Sequence, residues 1–63
     1  MPREVFLSLP SWSVECGDLA YDDARQSKDG IWYYIEAATG EIRCFVNQKS
    51  VVPLYKNAIK PDG

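Results

Sequence analysis

The placing of apolar and polar residues along the chain sets the expected elements. Arg3 to Leu9 carries Val5, Leu7 and Leu9 on one side, which predicts a first strand stopped by Pro10. Ser11 to Cys16 alternates strictly, which predicts a half-buried strand with Trp12, Val14 and Cys16 inward. Ile31–Glu36 and Glu41–Val46 flank Ala37-Ala38-Thr39-Gly40, which predicts a hairpin whose turn uses the positive φ available to Gly40. Between these stretches, Gly17 and Asp18 break the pattern. Asp18 either caps a short helix over Leu19 to Gln26 or opens an irregular acidic loop, and Ser27-Lys28-Asp29-Gly30 is a turn signal.

Trp32, Tyr33 and Tyr34 are consecutive, so on a strand they cannot all enter one core. A hairpin register with Ile35 opposite Cys44, Glu36 opposite Arg43 and Tyr34 opposite Phe45 gathers Ile31, Tyr33, Ile35, Ile42, Cys44 and Val46 on one apolar face. In this reading Tyr33, Ile35, Ile42 and Trp12 are core, and the turn spans Ala38 to Glu41. Trp32, Tyr34 and Phe45 fall on the other face, beside Arg43 and Glu36. That face is either covered by the chain's own ends or is a contact surface.

After a polar turn at Asn47 to Ser50, Val51 and Val52 begin either an edge strand limited by Pro53 or a short helix started by it, with Leu54, Tyr55, Ala58 and Ile59 on one side. Pro61-Asp62-Gly63 is expected to fray. The pattern as a whole predicts a single small domain over 1–63. Its class is mainly β, a small antiparallel sheet of three to four strands with at most one or two short helical turns.

Composition narrows the function more than it names it. An apolar content of 46% in 63 residues argues for a folded chain, one of marginal stability. The net charge is −2, with three basic against six acidic residues in 1–30 and four against three in 31–63. That is ordinary solubilising charge, not the basic footprint of a general nucleic-acid binder. No apolar run approaches the ~18 residues of a membrane span, and the apolar start is too short for a signal peptide. The expected location is cytoplasmic, with Cys16 and Cys44 as reduced thiols. The small size and opening Met point to an accessory protein.

Catalytic chemistry is missing from the sequence. There is no histidine for a nucleophile pair or proton shuttle. Two cysteines 28 residues apart do not make a zinc site, and the four glycines form no phosphate loop. Asp22 and Asp23 are adjacent, so they diverge instead of converging as an acid–base pair. The reading is therefore not an enzyme, with no catalytic residue, no metal and no cofactor.

Asp29-Gly30, Tyr33-Tyr34, Ile35 and Thr39 fall at the spacing found in a WW domain, and Leu9-Pro10 before Trp12 is similar to that family's opening. The hairpin Asp29–Phe45 thus resembles part of a WW domain, which implies a twisted antiparallel sheet. The family grips proline-rich peptides between its first Tyr, here Tyr33, and its second Trp, where this chain has Cys44 with Phe45 next door. The segment between Trp12 and Gly30 is also longer than the family's, and Pro53 comes late. The aromatic hairpin with its Thr39-Gly40 turn is similar, too, to the small arm-binding domains of tyrosine recombinases, which are basic.

The functional expectation is a non-catalytic protein-interaction module. Trp32, Tyr34, Phe45, Arg43 and Glu36 form its binding face, presented to an unidentified protein partner or to a second copy in a homodimer; no membrane is involved. The alternative is a small nucleic-acid-binding sheet, by single-strand stacking or recombinase-arm-type readout.

Overall fold

A computed structural model describes residues 1–58; the expectations for Ile59 and for Pro61–Gly63 lie outside the described residues. The chain is mainly β. A helix α1 (Arg3–Ser8) precedes strands β1 (Trp12–Cys16), β2 (Leu19–Gln26), β3 (Trp32–Ile35), β4 (Ile42–Cys44) and, after a 3₁₀ turn at Gln48–Ser50, β5 (Val51–Lys56). The strands form one antiparallel sheet in the order β4-β3-β2-β1-β5. The last strand thus returns beside the first.

Residues 3–8 are helical, not the extended strand that Val5, Leu7 and Leu9 predicted. Glu4 lies in the first turn, where a carboxylate favours the helix dipole, and Leu9 and Pro10 end the helix. Only Phe6 of this segment is buried, at 0% exposure, while Val5 and Leu7 are exposed. Six residues of helix are too few to persist alone, so contacts with the sheet hold α1 in place.

Residues 19–26 are a strand, neither the helix nor the loop expected. Gly17, at φ +63°, takes the first central position of the two-residue turn, and Cys16 pairs with Leu19. Trp12 pairs with Ala24 and Val14 with Tyr21, so β2 carries one residue more than β1 between these pairs. This β-bulge places Tyr21 and Ala24, three apart, on the same face. It gives a strand the spacing of a helix, which is why the pattern misled. A second irregularity opposite Ser13 and Val14 inserts Leu54 into β5.

The β3–β4 hairpin forms, but two residues closer to its turn than expected. Tyr33 pairs with Cys44, Tyr34 with Arg43 and Ile35 with Ile42. The Gly40 amide donates to the Glu36 carbonyl at 2.7 Å and the Glu36 amide to the Glu41 carbonyl at 2.8 Å, so the turn is Ala37 to Gly40. A shift of two residues preserves which side chains share a face. The faces themselves are exchanged. The core gathers Val14, Ala24, Trp32, Phe45 and Val51, with Trp12, Cys16, Tyr21 and Tyr34 packed against it. Tyr33, Ile35 and Ile42, expected inside, are half-buried on the opposite face with exposed Cys44.

Candidate interaction surface

The two faces of the β3–β4 hairpin differ in what they meet. The inner face meets β2 and β1, and its rings interlock. Trp12 and Trp32 stand edge to face at 6.3 Å, Tyr21 and Phe45 at 4.8 Å, and Tyr34 lies 4.7 Å from Phe45 and 5.2 Å from Tyr21. Trp32 is 7% exposed and Phe45 4%. Of the five residues expected as a binding face, these two are therefore covered by the chain itself. Tyr34 is half-buried at their rim. Arg43, next to it across the hairpin, reaches Glu36 at 3.3 Å and Glu41 at 2.9 Å. Glu36 and Glu41 close the turn as like charges, and Arg43 offsets their repulsion by bridging both. The expected Glu36–Arg43 contact is present, though as a diagonal contact.

Gln48 is a structural residue that the hydrophobic pattern could not reveal. Its Oε1 accepts from the Trp32 amide at 2.7 Å, and its Nε2 donates to the Trp32 and Phe45 carbonyls at 3.0 and 2.8 Å. One side chain thereby serves the backbone where the β3–β4 ladder ends.

The outer face carries two features. The first is a stripe of four side chains, with Tyr33 beside Cys44 and Ile35 beside Ile42. Val46, just past β4, is wholly exposed. Tyr33 also pairs with Arg25 on β2, which ties the stripe to the second feature, a polar network. Arg25 donates from Nε to Asp23 at 3.0 Å and from Nη1 to the carbonyls of Phe6 and Leu9 at 3.1 and 3.2 Å, and its guanidinium lies 4.7 Å above the Phe6 ring. The Ser11 hydroxyl donates to Asp23 at 2.7 Å. Burial pushes the Asp23 carboxyl up, but the hydrogen bonds from Arg25 and Ser11 and the Arg25 charge outweigh it and hold the group below its ordinary 3.8. Asn57 extends the network, donating to the Ser11 hydroxyl at 2.9 Å and the Asp22 carbonyl at 2.7 Å while accepting from Ser13 at 2.9 Å. A cleft of about 350 Å³ lies alongside, lined by Leu7, Leu9, Ser11, Arg25, Asn57 and Ala58 among others.

Cys16 and Cys44 are free thiols. Among the described residues no group of three or more His, Cys, Asp or Glu could hold a metal ion, and no helix is long and apolar enough to cross a membrane. No family model, curated protein or solved structure matches the chain.

Proposed function

We propose that the chain is a non-catalytic protein-interaction module whose contact surface is the outer face of the β3–β4 hairpin. One observation carries this reading. The rings of the core occupy one face of the hairpin, and the other carries half-buried Tyr33, Ile35 and Ile42 with exposed Cys44 as a stripe of cross-strand pairs beside the sheet edge. Small soluble proteins seldom leave such a patch uncovered by a partner or a second copy. The WW resemblance supports the same face, because the two positions that grip a peptide in that family, Tyr33 and residue 44, are cross-strand neighbours here. Cys44 lacks the ring of the family's Trp, so the partner proposed is an apolar protein surface. Electrostatics favour protein over nucleic acid, since Arg25 and Arg43 are each held by carboxylates.

Cys44 is exposed, so Cys44→Arg changes the stripe with little effect on the fold. Self-association measured by sedimentation, and retention of a protein partner on immobilised chain, should both be carried out on the natural chain and on Cys44→Arg. The expected result is association that Cys44→Arg removes at an unchanged thermal midpoint. A natural chain that stays monomeric and retains no protein sensitive to Cys44→Arg would sink the proposal, and retention of DNA lost with salt would favour the nucleic-acid reading.

A further inference from the structure

We propose that this chain pairs with a second copy of itself, edge to edge along β4, about a two-fold axis at Ile42. The inference rests on the reading of the β3–β4 hairpin as a contact surface, and it names the partner. The hairpin backbone carries it. The Glu36 amide donates to the Glu41 carbonyl at 2.8 Å and the Phe45 amide to the Trp32 carbonyl at 3.2 Å, so the paired run extends from Glu41 to Phe45. Hydrogen-bonded and non-hydrogen-bonded pairs alternate along an antiparallel ladder. Tyr34 and Arg43 lie midway between those two bonded positions and exchange bonds, whereas Ile35–Ile42 and Tyr33–Cys44 are the non-hydrogen-bonded pairs. The N–H and C=O groups of Ile42 and Cys44 therefore point away from β3. The sheet ends at β4 on that side, and among the described residues no other hydrogen bond reaches these groups.

The two edges of the sheet differ. On β5 the Val51 amide is taken by the Gln48 carbonyl, and Pro53 has no N–H to offer. β4 has neither proline nor glycine, and its register with β3 is unbroken. An open edge takes up a further strand through main-chain hydrogen bonds. With β5 blunted, β4 meets β4, which closes as a two-fold pair instead of growing into a filament. The side chains fit that pairing. Glu41 and Arg43 flank Ile42 on one face, where Arg43 reaches Glu41 at 2.9 Å within the chain. A two-fold axis at Ile42 sets Glu41 opposite the partner's Arg43 and Arg43 opposite the partner's Glu41, joining two ion pairs into one cluster of alternating charge. The Ile42 N–H and C=O groups of both copies then bond each other, and the two Ile42 side chains meet on the outer face. An axis at Arg43 would set two guanidiniums opposite, and one at Cys44 would set Arg43 opposite the partner's Phe45. The stripe of Tyr33, Ile35, Ile42 and Cys44 runs on into its copy across the axis.

The test is sedimentation of the full chain in reducing buffer, for the natural sequence, Ile42→Val and Ile42→Pro. Val keeps the edge donor, while Pro, of similar size, removes an N–H that the fold itself does not use. The natural chain and Ile42→Val should dimerise at similar concentrations, and Ile42→Pro should need at least tenfold more. In a mixture of isotope-labelled and unlabelled natural chain, interchain contacts should join the α-protons of Glu41 and Arg43, and exchange of the Ile42 amide should slow as concentration rises. These two readings decide the matter even if Ile42→Pro does not fold. A natural chain that stays monomeric up to NMR concentrations would overturn the inference, as would a dimer with neither the contact nor the slowed exchange. So would a folded Ile42→Pro chain that dimerises like the natural one. A dimer that Cys44→Arg removes and Ile42→Pro leaves intact would keep the outer face as the contact surface and reject the β4 edge. Retention of a different protein by a chain that stays monomeric would do the same.

Discussion

Arg25 shows how much one side chain can organise in a chain of 63 residues. A charge that is mostly withdrawn from water must be paired and hydrogen-bonded to be tolerated. Here Asp23 supplies the charge and the carbonyls of Phe6 and Leu9 supply the acceptors. The pair reports on itself through pH. The Asp23 carboxyl sits below its ordinary 3.8 in the folded chain. A carboxyl depressed by folding contributes stability that is fully present above its unfolded value and is lost as pH falls through the folded one. Urea midpoints of the natural chain should therefore hold steady from neutrality down to about pH 5 and fall as the pH passes below 3.8. Asp23→Asn should be less stable at neutral pH and show a shallower acid limb. An identical acid limb in both proteins would show that the Asp23–Arg25 pair is not linked to folding.

At the scale of elements, the β3–β4 hairpin was legible and which of its faces lies inside was not. The turn at Gly40 and the alternation on both arms located β3 and β4, and Trp12 to Cys16 located β1. Alternation within one hairpin sorts side chains into two sets, but only its neighbours decide which set is inside. Tyr21 and Ala24 on β2 face Trp32, Tyr34 and Phe45, and β2 itself was hidden by the bulge that spaces those two residues like a helix. The helix α1 was hidden for the opposite reason. Val5, Leu7 and Leu9 imitate a strand, whereas the buried residue is Phe6 and the stabilising contact, Arg25, is distant in sequence. Gln48 belongs to the same class of long-range contact, joining the 3₁₀ turn to β3. Removing its side chain leaves the Trp32 amide without its acceptor, so Gln48→Ala should cost about 1–3 kcal/mol. Denaturant unfolding would measure this. Amide exchange should at the same time accelerate most at Trp32.

At the scale of the whole molecule, the chain is one sheet with a single aromatic core, and Trp32 is where the elements meet. Its ring stands against Trp12 of β1, its amide and carbonyl are held by Gln48, and its carbonyl also accepts from the Phe45 amide at 3.2 Å. A chain of this length has a stability of about 3–9 kcal/mol in all. Truncating a buried Trp to Ala typically removes about 3–5 kcal/mol, by lost burial and by the cavity left behind. Trp32→Ala should therefore unfold a large fraction of the molecules at 25 °C. The loss should be cooperative, with far-UV circular dichroism and tyrosine fluorescence reporting one transition. It should also occur in the isolated chain, with no partner present. Trp32 would have been the sensitive point of binding had its face been open to a partner, and the two roles separate cleanly in this variant. A folded Trp32→Ala chain with a near-natural midpoint would mean that the core tolerates the loss of its largest ring. Unfolding of the free variant would place Trp32 among the residues that hold the sheet together and not on a contact surface.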